Sequence, residues 1–246
     1  MSLKKNLLAI SILSVSLNAN AALTNYTGAG GAGLVYSSIS NITWTQDANL
    51  FKTLYDADNT LISQIASVTP TYNDSAFGLQ TIDADDFNIG IGKMSWFGAK
   101  AFINYLNIIS YGGSNEWHLQ KSNNLYSSYA YAGNELPVLF YDELGGSVNS
   151  YIPNTGTFNN LPPDEADARY WSDLEYGDLP NAAWIFYISD GYFQSVSNKA
   201  DGLSYAWAVS PGQVPTVPLP AASWFMLTGL FGLFGLKRFK KHSLVQ

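Results

Sequence analysis

All nineteen carboxylates of this chain fall between residues 22 and 216, and two apolar segments, each adjoining lysines, bracket that acidic stretch. The layout decides which residues must fold together in water. At the front, "MSLKKNLLAISILSVSLNANAALT" places Lys4 and Lys5 before an apolar run over residues 7–17, then Ala19-Asn20-Ala21. A basic start, a short apolar run and an A-x-A triplet, in that order, mark a secretory signal peptide cut after Ala21; the run is too short to cross a bilayer. At the back, residues 221–236 carry no formal charge. Taken as helix, this run spans about 24 Å, or about 30 Å counted from Val217, the short end of what a bilayer core needs. Lys237, Arg238, Lys240 and Lys241 follow at once, and Trp224 stands near the opposite end. Cations at that end stay in the cytoplasm, so a spanning helix here leaves the acidic body outside. Gly229, Gly232 and Gly235 give it a flat face for a partner helix.

The segment "VPLPAASWFMLTGLFGLFGLKRFKK" resembles, in all three of its parts, the VPLPA type of PEP-CTERM sorting signal of Gram-negative bacteria. The resemblance implies that Val217, Pro218, Leu219, Pro220 and Ala221 are read by an exosortase-type transpeptidase that cuts near Pro220 and Ala221. It further implies a transient stay in the inner membrane, then the cell surface or the extracellular matrix. Pro218 and Pro220 agree physically, since both keep the chain extended and open to a protease.

Between these ends the basic residues are only Lys52, Lys93, Lys100, Lys121, Arg169 and Lys199. Six cations against nineteen carboxylates leave a formal charge of −13, which repels phosphate backbones and argues against nucleic acid as a partner. The chain has no cysteine, which excludes disulfides, thiolate metal sites and cysteine nucleophiles, so the domain must rest on its hydrophobic core. Aromatic residues make up 15% of the chain, enough for a dense core or for a surface that stacks on sugar rings.

Local patterns point to helices early and strands late. "TNYTGAGGAGLVYSS" (24–38) reads as a flexible lead-in or an edge strand, "ITWT" (42–45) as a strand, and residues 47–54 and 61–66 as short helices. In "MSWFGAKAFINYLNIISYGG" (94–113), Ser95 is a natural N-cap, Trp96, Ala99, Ile103 and Leu106 fall on one helical face, and Gly112-Gly113 ends the helix. Four aromatic runs then read as strands: residues 137–145, 169–177, 182–196 and 204–212. The third contains a hairpin turn at Asp190-Gly191. Helices followed by hairpin-forming strands predict an α+β fold with an antiparallel sheet and one or two helices.

Taken together, "ITWTQDAN", "GKMSWFGAKAFINYLNIISYGG" with "EWHLQ", "LFYDELG", "YWSDLEY", "AWIFYISDGY" and "YAWAVSPG" resemble, in order and spacing, the Lcl C-terminal-domain family. That resemblance covers residues 42–212 and implies a C-type-lectin-like fold and extracellular binding, in some members to sulfated polysaccharide. Two habitual arginines of the family are missing: its Trp-Arg-Leu-Pro is Trp117-His118-Leu119-Gln120 here, and its Val-Arg-Pro-Gly is Val209-Ser210-Pro211-Gly212. Any buried carboxylates those arginines would pair with need another partner in this chain.

Few residues suggest chemistry. His118 is the one histidine of the acidic body; no G-x-S-x-G accompanies it, so a partly buried, hydrogen-bonding role is the plainer reading than catalysis. "DADDFN" offers Asp83, Asp85, Asp86 and Asn88 as oxygen ligands for a weak Ca²⁺ site, and "DADN" offers Asp56, Asp58 and Asn59; neither has EF-hand spacing, and a solvated acidic loop is the plainer reading. In "PPDEADAR", Asp164, Glu165 and Asp167 supply acids for glycoside hydrolysis only if two of them face each other across a cleft. Trp171, Trp184 and Trp207, within alternating strands, are expected in the core.

The expected division is residues 1–21 signal peptide, 22–213 extracellular domain, 214–220 proline-rich linker with the sorting motif, 221–236 transmembrane helix, and 237–246 basic cytoplasmic tail. The expected function is non-catalytic: contact with a surface glycan or an exopolysaccharide of a biofilm matrix, with no cofactor beyond a weak Ca²⁺ site. The alternative is an exported polysaccharide hydrolase working through paired carboxylates.

Overall fold

The computed structural model describes residues 23–122, 133–152, 154–162 and 168–216. The expected signal peptide, sorting motif, transmembrane helix and basic tail lie outside the described residues, as do Asp164, Glu165 and Asp167. Among the described residues no helix is long and apolar enough to cross a membrane.

The chain builds a mixed fold on antiparallel sheets, consistent with α+β. Strands β1 (Leu23–Thr27), β2 (Gly33–Ser37) and β3 (Ile42–Thr45) form a meander. The Gly-rich lead-in is thus a hairpin, with Gly30 and Gly31 at φ +66° and +83° in its turn. Helices α1 (Leu50–Ala57) and α2 (Leu61–Val68) follow, then β4 (Thr71–Asp74), β5 (Gly78–Thr81), β6 (Phe87–Asn88), β7 (Lys93–Met94), α3 (Trp96–Ile108) and β8 (His118–Leu119). After α4 (Glu135–Val138) come β9 (Arg169–Glu175), β10 (Ala182–Tyr187), β11 (Tyr192–Asn198) and β12 (Ala208–Pro211). Strand β12 inserts between β3 and β8, giving the order β1-β2-β3-β12-β8, while β9, β10 and β11 form a second sheet.

Burial on both faces holds the central strands β2, β3, β10 and β12. Neighbouring residues enter opposite cores: Leu34, Ala208, Trp171 and Ile185 join the helices α1–α3, whereas Val35, Val209, Tyr170 and Trp184 join α4 and the segment after it. Strands covered on both sides read as continuous apolar runs rather than alternating ones, which is why "AAWIFY" is apolar throughout. The second core centres on Trp207, whose ring lies 4.9 Å from both Trp44 and Phe158 and whose indole N–H donates to the Thr45 carbonyl at 2.9 Å. Trp171, Trp184 and Trp207 are all buried, as their positions in the strands predict.

Helix α3 starts where its cap predicts: Ser95 Oγ accepts from the Gly98 amide at 2.9 Å and donates to Asp86 Oδ1. Three expectations need correction. First, residues 137–145 are not a strand. They continue α4 into a π-helical turn, Leu139–Glu143, because Leu136, Leu139, Phe140 and Leu144 bury one helical face, and Pro137 sits in a first turn where its missing N–H costs nothing. Second, the helices exceed one or two: α1, α2 and α3 each have at least eight residues, and α4 adds another. Third, α1 begins at Leu50, not Asp47. The Asp47 carboxylate stands outside it, accepting from the Asn49 amide at 2.8 Å and the Thr53 hydroxyl at 2.6 Å. Residues 56–92, read as polar and turn-rich, also contain the β4–β5 hairpin.

An ion triad, buried at Lys199 and Asp74 and exposed at Glu175, ties that hairpin to the second sheet. Lys199 Nζ, fully buried, donates to Asp74 Oδ2 and Glu175 Oε2, both at 2.7 Å, and lies 5.0 Å from the Trp96 ring centre. Burial alone would raise the Asp74 carboxyl. The Lys199 hydrogen bond, the Ala76 and Phe77 amides and the Lys199 charge outweigh it, so Asp74 titrates below its ordinary value.

Candidate functional site

Helix α3 has a polar stripe, and one cavity of about 350 Å³ opens along it. Lys100, Asn104 and Asn107 recur at helical spacing on that stripe, while β8 brings His118 with Trp117 just before it, β9 brings Asp173, β4 brings Tyr72, and Thr69 comes from the end of α2. The size lies at the lower end of what small ligands occupy.

Most polar groups here are already oriented. Asn107 clamps the Trp117 backbone: its Nδ2 donates to the Trp117 carbonyl at 2.9 Å, and its Oδ1 accepts the Trp117 amide at 2.6 Å. Asn104 Nδ2 donates to Thr69 Oγ1 at 2.7 Å. Lys100 Nζ pairs with Asp173 Oδ1 and also lies 5.3 Å from the Trp96 ring centre. The Tyr72 hydroxyl titrates above its ordinary value, first through burial and then through the charges of Glu175, Asp173 and Asp74, so it stays a donor. Tyr72, Ile103 and Trp117 give the cavity its apolar surface, and the oriented amides and the ion pair give it donors and acceptors. Such a lining suits a polyhydroxylated ligand, whose C–H face packs on the ring while its hydroxyls replace water.

His118 is where a hydrogen-bonding histidine was expected. Its Nδ1 donates to the Leu119 carbonyl at 2.8 Å, which fixes the neutral tautomer, and lies 3.7 Å from Glu135 Oε2. Its Nε2 is buried and has no hydrogen-bond partner among the described residues. Burial comes first in holding His118 below its ordinary value, with the Lys121 and Lys100 charges adding and the Leu119 bond and Asp173 opposing. Glu135 accepts the Lys121 amide at 2.6 Å and is pushed up to about 7, chiefly by burial, with the Asp173 charge adding. The Ser210 side chain is buried and its hydroxyl lies 2.7 Å from that of Ser114.

The expected Ca²⁺ residues are engaged locally. Asp83 Oδ1 accepts the Asp85 amide at 2.9 Å, Asp86 Oδ2 accepts the Asp83 amide at 3.2 Å, and Asn88 Oδ1 accepts the Gly90 amide at 3.1 Å. Asp86 is raised by burial, against the Ser95 and Asp83 bonds, with the Asp83 and Asp85 charges adding. In "DADN", Asp56 pairs with Lys52 and Asp58 accepts from Thr60 and Gln64. Among the described residues no three His, Cys, Asp or Glu side chains converge as a metal site would require.

Nor, among the described residues, do two carboxylates line any one of four cavities. Asp173 lines the α3 cavity; Glu135 lines another of about 340 Å³ with Ile39, Ser40 and Val138; Asp56 lines a third of about 400 Å³; and a fourth of about 410 Å³ has none. Sequence reasoning found His118 but missed Lys100, Asn104, Asn107, Tyr72 and Asp173. The α3 stripe was readable as i, i+4, i+7 spacing of polar residues, whereas Tyr72 and Asp173 arrive from distant strands. The chain matches none of the protein-family models, curated proteins or solved structures with which it was compared.

Proposed function

We propose that this is an exported surface or matrix protein whose acidic domain binds neutral saccharide, without transforming it, in the cavity along α3. The observation that carries the reading is that cavity's lining: Tyr72, Lys100, Asn104, His118 and Asp173, an aromatic floor with oriented polar groups and a single carboxylate. Export rests on the signal-peptide pattern, the VPLPA-type motif at Val217 to Ala221 and the basic cluster at Lys237, Arg238, Lys240 and Lys241. In this reading an exosortase-type transpeptidase cuts the tail and releases the domain from the inner membrane to the cell surface or matrix.

We read the fold as C-type-lectin-like and the chain as akin to the Lcl C-terminal domains, on the ordered blocks of residues 42–212. At one missing arginine the carboxylate of Glu135 faces His118; at the other, two serine hydroxyls face each other. Both changes remove a cation, and with a charge of −13 they favour neutral ligands over sulfated ones. The hydrolase alternative needs two carboxylates facing each other across a cleft, and among the described residues each of these four clefts is lined by one carboxylate or none.

The test is titration of the full chain, in mild detergent, with neutral, uronic-acid and sulfated oligosaccharides, with and without Ca²⁺. Neutral glycans should bind in either condition. Asp173→Asn should weaken binding at least about tenfold, the worth of one good hydrogen bond to a charged group, and Lys52→Ala, on a separate cleft, should leave it unchanged. Absence of binding by every class would refute the reading, and release of reducing ends would favour the hydrolase.

A further inference from the structure

We infer that the chain's own residues 217–220, Val-Pro-Leu-Pro, dock in the uncharged cleft beside the point where the chain leaves the domain. That cleft, of about 410 Å³, lies between the Gly30–Gly31 turn, Leu54 of α1 and the residues just after α3, Ile109, Ser110 and Tyr111; among the described residues no charged one lines it. Around it the surface is unusually apolar, with Ile108 62% and Ile109 46% exposed. The path of the chain leads to its rim. Val214 is buried and its amide donates to Thr43 Oγ1 at 3.2 Å, which fixes the last stretch before the exit.

Beyond Val214 the chain runs past Gly113. A methyl group built on that glycine would stand 3.4 Å from Ala29 Cβ and 3.7 Å from the Pro215 carbonyl oxygen. Ala29 and Gly112, the immediate neighbours of this crossing, are themselves part of the cleft wall. The chain therefore surfaces at Pro215 and Thr216 against the cleft's edge. Four residues held extended by two prolines reach about 12 Å, enough to lie across it. The chemistry matches as well. Val, Pro and Leu side chains suit the Ala29, Ala32, Leu54 and Ile109 walls, and the Ser110 and Tyr111 hydroxyls can donate to prolyl-segment carbonyls, as aromatic-lined grooves do for extended proline-rich peptides. Gly30 and Gly31 keep the floor clear, since a methyl group on either would meet nothing within 4 Å.

Docking would hold the Pro220–Ala221 bond against the domain, so cutting would require release of the segment; this consequence rests on the sorting-motif reading, but the docking itself does not. The cysteine-free chain makes the test clean. In the full chain in detergent, Ile109→Cys/Leu219→Cys should form an intramolecular disulfide at least about tenfold faster than Leu179→Cys/Leu219→Cys, whose first cysteine lies on the β9–β10 turn; that ratio corresponds to about 1.4 kcal/mol of docking. In parallel, a post-proline endopeptidase should cut the cysteine-free chain after Pro218 slowly and Ile109→Asp at least about tenfold faster. Equal rates in either comparison, or a disulfide-linked dimer in place of the internal bridge, would overturn the inference. Saccharide titration of the same samples reads the α3 cavity separately, so the two ideas fail independently.

Discussion

Glu135 makes this fold sensitive to pH, and the size of the effect follows from its surroundings. Its side chain is 14% exposed and accepts the Lys121 amide, with His118 3.7 Å away, held neutral, and Lys121 and Asp173 acting at longer range. Burial pushes its carboxyl from 4.5 up to about 7. Because the folded state holds this proton more tightly than the unfolded chain, stability is fullest below about pH 4.5, falls as pH rises, and levels off above about pH 7. At about 1.4 kcal/mol per pH unit, the interval corresponds to about 3 kcal/mol.

Glu135→Gln keeps an oxygen for the Lys121 amide and removes the charge. Urea denaturation of both proteins at about pH 5 and about pH 8 should show the variant gaining on the native chain by about 1–3 kcal/mol at the higher pH. His118 cannot produce that signal. Its burial favours the neutral form, so its own contribution is lost as pH falls, in the opposite sense. Parallel pH profiles for the two proteins would refute the argument by showing that Glu135 ionises at no cost.

Two further substitutions probe the frame around the site. Lys199→Met should destabilise the fold by about 3–5 kcal/mol, because it strands buried Asp74 without a cation; the triple change Lys199→Met/Asp74→Asn/Glu175→Gln should recover most of the loss, and thermal melts that rank the two alike would contradict this. Gly191→Ala should cost about 1–3 kcal/mol, since Gly191 sits at φ +74° and its new methyl would come 2.6 Å from the Phe140 ring and the Tyr141 hydroxyl. Unchanged denaturation midpoints would show that the turn relaxes freely.

Local signals proved most legible where the chain satisfies its own backbone. Ser95 and the apolar spacing behind it mark α3, and Asp190-Gly191 marks the β10–β11 hairpin; both are decided within a few residues. The helix at Glu135–Val138 and the turn after it went unread because aromatic and β-branched content masked a helical burial period that only packing in the second core, with Phe140 against Phe186, makes plain. The α3 cavity was half legible for a similar reason. One helix supplies its polar stripe, but Asp173 and Tyr72 join it through long-range pairings that no spacing reveals.

With strands β2, β3, β10 and β12 packed on both sides, the body offers no face of those strands to press against a polymer. Six tryptophans, Trp44, Trp96, Trp117, Trp171, Trp184 and Trp207, are spent inside it. Grip on anything large must then come from the seams where helices meet strand ends, so affinity would be gained by lengthening the loops along those seams rather than by decorating the strands.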